Sequence, residues 1–248
     1  MAPTLLILKT GETLPALKAA RGDFERWFQA HLGSLGHRFL VVSPYRGEPL
    51  PPAQGLGGVV VTGSPKSVYD DEPWIAESAG WLFGAAQAGV PLLGVCFGHQ
   101  LVASAFGGEV RPNPAGRETG TVEVSLTDAG RADPLFAELP DTLRVQQSHR
   151  DAVVRPPEAA AVLAGNAHTP VQALALGEHV RTVQFHPEFD AEVASAYVEG
   201  RADRIREEAA ARGEDPEAAL ARVRAGIRAS EHGPRLLRNW LLHFAARA

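Results

Sequence analysis

The residue with the most reactive side chain in this sequence is its single cysteine, Cys96. It lies in the segment Gly94-Val95-Cys96-Phe97-Gly98, which has the spacing of a nucleophile elbow with a thiol in place of serine. Glycine has no Cβ to clash, so the two flanking glycines permit the tight turn that exposes a nucleophile. Free N–H groups at a helix start also favour a thiolate. The pattern therefore predicts a cysteine nucleophile, and the alternative is a small buried core cysteine.

A cysteine nucleophile needs a base within hydrogen-bond reach and a third group that orients this base. His186 and Glu188 are the best candidates, because they follow an apolar strand and residues two apart on a strand point to the same side. A carboxylate behind a histidine fixes its tautomer and supports the imidazolium form. His99 is a weaker candidate for the base, because the helix after Cys96 carries it away from the sulfur.

Strands that alternate with helices are predicted for the first 108 residues. Each predicted strand is apolar on both of its faces. This pattern predicts a parallel sheet that is covered by helices on both sides. Ligands of such sheets bind at the carboxyl ends of the strands, which is where Cys96 follows its strand. The predicted strands are 5–8, 39–42, 59–61 and 90–95, and the predicted helices are 24–32, 73–88 and 97–106.

After Gly108 apolar and polar residues alternate, as in strands with one exposed face. This pattern predicts a mixed or antiparallel extension of the sheet. From Phe189 onward the chain is helical and charged, and we interpret the charges as solvated helix faces. A last amphipathic helix is predicted at 233–246. The other predicted strands are 119–126, 143–147, 161–163, 171–176 and 180–185, and the charged helices are 191–212 and 216–230.

Composition excludes several classes of partner. The 248 residues include 24 basic and 29 acidic side chains, a formal charge of −5, with no basic patch for nucleic acid or an anionic membrane. No apolar segment reaches the roughly 18 residues of a membrane span. One cysteine cannot form an internal disulfide, so we expect an intracellular, cytoplasmic protein. No histidine, cysteine and carboxylate cluster has ligand spacing, so neither a metal nor another cofactor is expected.

Three separated motifs resemble one family. They are the segment 94–100 (GVCFGHQ), the turn Gly63-Ser64-Pro65 and the late His186-Pro187-Glu188. In this order they resemble the class I glutamine amidotransferases, most closely stand-alone proteins similar to the glutaminase domain of GMP synthase. The resemblance covers about residues 1–190 and the final helix. It implies a flavodoxin-like α/β fold, with a mixed, mostly parallel sheet and helices on both faces. We expect a single domain over 1–248, in which the helices at about 191–230 are an insertion.

The resemblance also assigns roles to individual residues. It implies that a triad of Cys96, His186 and Glu188 cuts a γ-glutamyl amide, and that backbone N–H groups of Phe97 and of Ser64 or Gly63 hold the oxyanion. It implies that Gln100 holds glutamine and that the backbone of 148–151 meets the amino and carboxylate ends. The related pattern there is Ser-His-Gly-Asp, whereas this chain has Ser148, His149, Arg150 and Asp151. Arg150 either points to solvent, closes the pocket, or binds the carboxylate of a larger γ-glutamyl compound.

Glutaminase or amidotransferase activity is the leading function implied by these motifs. One alternative is a stand-alone γ-glutamyl peptidase or hydrolase with the same triad, and another is a non-catalytic partner-binding module. The sequence has no Ser-Gly-Gly-rich phosphate loop of an ATP-pyrophosphatase, so an ammonia acceptor is expected on a separate synthetase chain. Assembly as a homodimer stays open at this point.

Overall fold

The structure, a computed structural model, describes residues 3–33 and 36–245. Strands and helices alternate through the first part of the chain, as predicted. The strands are β1 (Thr4–Leu8), β2 (Arg38–Val42), β3 (Leu56–Val61), β4 (Leu92–Val95), β5 (Glu109–Pro112), β6 (Glu118–Leu126), β7 (Thr142–His149), β8 (Asp151–Arg155), β9 (Ala160–Gly165), β10 (Ala173–Leu176) and β11 (Val180–Val183). The helices are α1 (Pro15–Arg21), α2 (Phe24–Leu32), α3 (Pro73–Gln87), α4 (Phe97–Ala105), α5 (Asp128–Ala132), α6 (Ala191–Gly200), α7 (Ala202–Ala211), α8 (Pro216–Gly226) and α9 (His232–Trp240).

Nine strands form one sheet in the order β2-β1-β3-β4-β11-β10-β9-β6-β7. The first five of these strands are mutually parallel, and the other four continue the sheet with antiparallel pairing. The predicted mixed, mostly parallel α/β sheet with an antiparallel extension is therefore confirmed. Strands β5 and β8 form a separate two-stranded sheet that the sequence analysis did not predict.

Strand β1 shows why the sheet must be covered on both sides. Leu5 and Ile7 are fully buried in the cluster that α2 and α9 supply, where Trp240 is the largest buried side chain. Leu6 and Leu8 are fully buried on the opposite face, against α3 and α4. Each such leucine contributes about 1.5–3 kcal/mol through removal from water, so both helical layers are needed to bury this strand.

Several element boundaries differ from the prediction by two to four residues, and for three of the differences the structure shows the cause. Strand β11 ends at Val183 rather than 185: the N–H of Gln184 still donates to the carbonyl of Gln172 opposite it, but the N–H of His186 donates to Gln146 instead. The helix predicted at 191–212 is broken at Arg201, whose backbone has φ −118° and ψ 12°. Helix α8 ends at Gly226, because Ile227 takes an extended ψ of 130°.

The final helix was predicted at 233–246. Helix α9 begins at His232, and a π-helical turn, Leu241–Ala245, continues it. The predicted last residue, 246, lies outside the described residues.

Helices α6, α7 and α8 cover the antiparallel end of the sheet. Val198, Ile205 and Leu220 form a small apolar cluster between these helices. Helix α8 lies directly over β6, since a Cβ added to Gly120 would be 3.2 Å from a Val223 methyl. That residues 191–230 are an insertion into a single domain stays a prediction.

Membrane crossing needs a helix of about 20 mostly apolar residues. Among the described helices none has the length and hydropathy for such a span.

The packing of α9 can be tested by truncating its central side chain. We expect Trp240→Ala to lower the free energy of unfolding by about 3–5 kcal/mol, because it empties a fully buried site against β3. Leu242→Ala is the matched control, since this side chain is 40% exposed and should change stability by less than about 0.5 kcal/mol. Urea unfolding of both variants is the measurement. An equal loss of unfolding free energy in the two variants would contradict the burial of Trp240 against the sheet.

Candidate active site

Cys96 lies at the sharp turn between β4 and α4. Its backbone has φ 53° and ψ −103°, a left-handed conformation that non-glycine residues rarely adopt, and its N–H donates to Val183 at 2.9 Å. A Cβ on Gly94 would be 2.5 Å from the carbonyl oxygen of Gly98. A Cβ on Gly98 would be 2.4 Å from that of Val61. Both glycines are therefore required by close backbone approach, as the Gly-x-Cys-x-Gly spacing indicated.

A turn after β11 brings His186 and Glu188 together. The reason given by the sequence analysis was wrong, because β11 ends at Val183 and the two residues do not share a strand face. Both are buried, and His186 Nδ1 lies 2.8 Å from Glu188 Oε1. The imidazole stacks on Phe189 with centroids 4.0 Å apart and on Phe24 at 6.5 Å, which fixes its plane.

The electrostatics of this cluster favour a protonated imidazole. Burial acts to lower the pKa of His186, but the negative charges of Glu188 and Cys96, with their hydrogen bonds to the ring, outweigh it and raise the pKa to about 10. The imidazolium therefore stands next to the sulfur at neutral pH, with its other nitrogen on the carboxylate. That is the arrangement of a general acid poised beside a nucleophile.

The loop after β3 lies close to this pair. A Cβ on Gly63 would be 3.1 Å from His186 Cε1 and 3.8 Å from Cys96 Cβ, so only glycine fits this approach comfortably. The hydroxyls of Thr10 and Thr62 both donate to the carbonyl of Gly63 at 3.1 Å. In a trans peptide the next N–H, that of Ser64, points the opposite way from this carbonyl. The geometry favours Ser64 over Gly63 as the donor on this loop.

Phe97 is the second predicted donor. It is the first residue of α4, so its N–H has no carbonyl partner within the helix. An N–H in this position next to a nucleophile is free to bind developing negative charge.

Gln100 and the segment 148–151 are held together by hydrogen bonds. Gln100 Nε2 donates to the carbonyl of Asp151 at 2.8 Å and to Gln184 Oε1 at 3.0 Å, which leaves its amide oxygen for a ligand. The hydroxyl of Ser148 is buried and has no partner among the described residues. An unpaired buried hydroxyl beside Cys96 is suited to binding a polar substrate.

His149 is fixed by two acceptors. Its Nδ1 lies 2.9 Å from the carbonyl of Asp151, and its Nε2 lies 3.0 Å from Glu118 Oε2, so both ring nitrogens are held by oxygen atoms. Glu118 also accepts from Asn166 at 2.7 Å and from Gln172 at 2.8 Å. Burial acts to raise the pKa of Glu118, but the hydrogen bond and charge of His149 lower it overall. Glu118 therefore anchors the 148–151 segment.

Cys96 lies between two cavities of about 270 Å³ each. Five residues line both of them: Ser64, Pro65, Cys96, Ser148 and Arg201. The first cavity is completed by residues that include Phe97, Gln100, Arg117, His149, Arg150 and Asp151, and we call it the acyl cavity. The second is completed by residues that include Thr13, Phe24, Gly63, His186 and Tyr197, and we call it the amine cavity. Cys96, which is 7% exposed, thus borders both cavities.

All eleven site residues named from the sequence come together around these cavities, with Glu188 behind His186. Sequence reasoning missed several others, namely Thr10, Arg117, Glu118, Phe189 and Arg201. Thr10, Arg117 and Glu118 lie far along the chain from the residues they contact, whereas Phe189 and Arg201 contact residues three and four positions away, His186 and Tyr197. Among the described residues no three histidines, cysteines or carboxylates gather as a candidate metal site.

The anchor of the 148–151 segment makes a stability prediction. We expect Glu118→Ala to lower the free energy of unfolding by about 3–5 kcal/mol, because it removes the acceptor that His149, Asn166 and Gln172 share and leaves these buried groups unpaired. Glu123→Ala is the matched control on the same strand, since Glu123 is exposed and should change little. Urea unfolding of the two variants is the measurement, and a loss below about 1 kcal/mol for Glu118→Ala would contradict the assignment.

The charge coupling at His186 makes a prediction about pH. Because negative neighbours stabilise the imidazolium, the ring should titrate near pH 10, and Glu188→Gln or Cys96→Ala should each move the titration to lower pH. Nuclear magnetic resonance of the imidazole signals over pH 5–11 measures this, with the His186 signal assigned by its loss in His186→Asn. If the titration midpoint of His186 is the same in Glu188→Gln as in the wild-type chain, the Glu188 carboxylate does not raise the pKa of His186.

Comparisons with known proteins find similar sequences over most of the chain. The family model for glutamine amidotransferase class-I matches residues 21–200. A glutamine-hydrolyzing GMP synthase of Aeropyrum pernix is 44% identical over 142 residues, which are 57% of this chain and 25% of that protein. One subunit of a glutamine-hydrolyzing GMP synthase of Saccharolobus solfataricus is 32% identical over 170 residues, which are 67% of this chain and 85% of that subunit. The chain spans about a quarter of the length of the first of these relatives.

Solved structures show the same fold. A glutamine amidotransferase from Thermotoga maritima superposes with a TM-score of 0.71 at 22% identity, covering 100% of both chains. A glutamine amido transferase from Methylobacillus flagellatus gives a TM-score of 0.70 at 21% identity, covering 100% of this chain and 97% of the other. With the family match over most of its length, the chain belongs to the class-I glutamine amidotransferase family.

Proposed function

We propose that this chain hydrolyses the γ-amide of glutamine with a catalytic triad of Cys96, His186 and Glu188, releasing ammonia for transfer to an acceptor. The observation that carries the proposal is the buried His186–Glu188 pair next to Cys96, a residue that lines two cavities. Membership of the glutamine amidotransferase family supports the choice of amide.

The first half of the reaction forms a thioester. The Cys96 sulfur attacks the γ-carbonyl carbon of glutamine, and the oxyanion that develops accepts hydrogen bonds from the N–H groups of Phe97 and Ser64. Each such donor is worth about 3 kcal/mol of transition-state stabilisation in comparable sites. His186 donates its proton to the departing nitrogen, the C–N bond breaks, and ammonia leaves. Glu188 keeps the ring in the required orientation and tautomer.

The second half returns the enzyme to its starting state. A water molecule replaces ammonia beside the neutral His186, which takes a proton from it as the oxygen attacks the thioester carbon. The C–S bond breaks, Cys96 leaves as thiolate beside the reprotonated imidazole, and glutamate is released. One glutamine and one water thus give one glutamate and one ammonia.

The residues that line the two cavities support a position for each half of the substrate. His186 must reach the leaving nitrogen and lines the amine cavity, so ammonia leaves there. The rest of glutamine then occupies the acyl cavity, with Gln100 through its amide oxygen, the Ser148 hydroxyl and the backbone of 148–151 as its contacts.

We further propose that the ammonia acceptor binds on a separate synthetase chain, in the cytoplasm. The relative from Saccharolobus solfataricus is itself named as one subunit of a GMP synthase, which supports an arrangement of more than one chain. A reducing compartment would keep the essential thiol free.

The test is ammonia and glutamate release from glutamine by the purified chain. We expect turnover that falls by at least about 10³-fold in Cys96→Ala and in His186→Asn, since members of such a triad act as a unit. Matched controls are His179→Asn and Glu178→Gln, two exposed residues remote from Cys96, which should retain wild-type rates.

A panel of γ-glutamyl peptides and amines runs beside glutamine in the same assay. Release of larger amines while glutamine stays inert would replace the proposal with a γ-glutamyl peptidase. Turnover of glutamine that survives Cys96→Ala would exclude the proposed nucleophile.

A further inference from the structure

The amine cavity holds the small molecule that reacts beside the sulfur. In the proposed reaction this molecule is first the departing ammonia and then the water that attacks the thioester, and His186, which lines the cavity, exchanges a proton with each of them. A buried water makes about three hydrogen bonds. Because the base supplies one of them, the other polar groups of this cavity determine how the water is oriented.

Glu12 lines this cavity, but both of its carboxylate oxygens are already paired. Its Oε1 accepts from the hydroxyl of Tyr45 at 3.0 Å, and its Oε2 lies 2.7 Å from Lys18 Nζ. Apart from the proposed base, the polar side chains that line this cavity and not the acyl cavity are then those of Thr13 and Tyr197. The others have apolar side chains or none: Leu14, Pro15, Phe24 and Gly63.

The hydroxyls of Thr13 and Tyr197 form a pair with unused hydrogen-bonding capacity. They lie 2.9 Å apart, and among the described residues neither has another hydrogen-bond partner. One bond between two hydroxyls uses one of their two hydrogens, so whichever of them donates, a second O–H and free lone pairs remain. Both residues are only 5% exposed, so a molecule bound inside the cavity is needed to satisfy that capacity.

Both hydroxyls are held in place by contacts outside the pair. The backbone N–H of Thr13 donates to Asp23 Oδ1 at 2.9 Å, which fixes the loop after β1. The ring of Tyr197 packs on Phe189 with centroids 4.8 Å apart, and its centroid is 6.4 Å from that of His186. The hydroxyl pair is therefore a fixed part of the cavity wall near the base.

The phenol of Tyr197 stays neutral in this environment. Burial is the largest cause and raises its pKa, and the negative charge of Glu188 raises it further. The hydrogen bond of Thr13 and the charge of Arg201 act in the opposite direction but do not outweigh burial. Because a neutral phenol is a poor base, Tyr197 can orient a water without removing its proton, and His186 remains the proton acceptor.

We propose that the hydroxyl pair of Thr13 and Tyr197 binds the water that hydrolyses the thioester and directs its oxygen at the acyl carbon. The inference rests on the proposed reaction at Cys96, which forms a thioester at the border of the amine cavity. It also gives the helices at 191–230 a part in the reaction, because α6 supplies Tyr197.

The step balances as follows. The water oxygen bonds to the acyl carbon, one water proton passes to the neutral His186, and the C–S bond breaks with its electron pair on the Cys96 sulfur. A lone pair of the hydroxyl pair accepts the other water hydrogen during the attack. That hydrogen stays on the new carboxyl group, which loses it to solvent when glutamate is released.

The pair should affect the second half of the reaction more than the first. Ammonia has only to depart once its bond to carbon is broken. Water must be held at attack distance with its oxygen aligned before it can react, and such positioning is a large part of the barrier. Loss of the pair should therefore slow hydrolysis of the thioester and spare its formation.

The first test is steady-state hydrolysis of glutamine by Tyr197→Phe, which removes the hydroxyl and keeps the ring that packs on Phe189. We expect kcat for glutamate release to fall by about tenfold or more, because the water is no longer aligned. KM should fall in parallel, so that kcat/KM, which reports the steps up to ammonia release, stays within about twofold of the wild-type value. A damaged fold or binding site would instead lower kcat/KM.

Hydroxylamine gives a second readout that does not depend on the amount of active enzyme. It is a stronger nucleophile than water and converts the thioester to glutamyl hydroxamate with less need for alignment. At a fixed hydroxylamine concentration, the ratio of hydroxamate to glutamate should rise by about tenfold in Tyr197→Phe relative to the wild-type chain.

Matched variants separate the hydroxyl from the fold. Thr13→Val should raise the hydroxamate ratio as Tyr197→Phe does, whereas Thr13→Ser keeps the hydroxyl and should stay near the wild-type ratio. Tyr45→Phe is the control, since this phenol donates to Glu12 and lines neither cavity, and it should change neither kcat nor the ratio. If Tyr197→Phe does not fold, the two Thr13 variants carry the test.

The outcomes distinguish this inference from the proposed function. Turnover of glutamine that survives Cys96→Ala would overturn the proposed reaction and this inference with it. Turnover that requires Cys96, with wild-type kcat and hydroxamate ratio in Tyr197→Phe and Thr13→Val, would overturn the water site alone. Equal losses of kcat and kcat/KM in Tyr197→Phe at an unchanged ratio would also overturn it, because they would indicate a structural role.

Discussion

The backbone of Cys96 is the constraint on which the site depends. A non-glycine residue at φ 53° carries strain of about 1–3 kcal/mol, which persists only where the surroundings enforce it. Here β4 holds one side of the turn and α4 holds the other. Gly94 and Gly98 lie so close to the carbonyl groups of Gly98 and Val61, respectively, that neither position has room for a side chain. The strained turn therefore places the sulfur at the carboxyl edge of the parallel strands, where the loops after β3 and β11 also arrive.

The partners of the sulfur come from segments that meet only in the folded sheet. Helix α2 supplies Phe24 and the turn after β11 supplies Phe189, so the His186 ring stacks with aromatic rings from two distant segments, which also stack with each other. Helix α6 contributes Tyr197 to the same cluster and then ends at Arg201. The helices at 191–230 thus reach both the base and the acyl cavity, so they are more than a solvated appendage.

Local signals in the sequence predicted the parts of this structure that local physics decides. The glycine spacing around Cys96 and the apolar periodicity of its flanks led to the correct strand, turn and helix within about two residues. What sequence reasoning missed depends on contacts between distant residues: β5 pairs with β8 across some 40 residues, and Glu118 pairs with His149 across 31. The break at Arg201 was also missed, although Gly200 directly before it disfavours a continuous helix.

The single cysteine has a practical consequence for following this protein in solution. Because Cys96 is the one thiol in the sequence and lines both cavities, a sulfur-directed fluorophore or mass tag would attach at one atom without prior removal of competing side chains. Its labelling rate would then read out ligand occupancy on either side of the turn in the unmodified sequence.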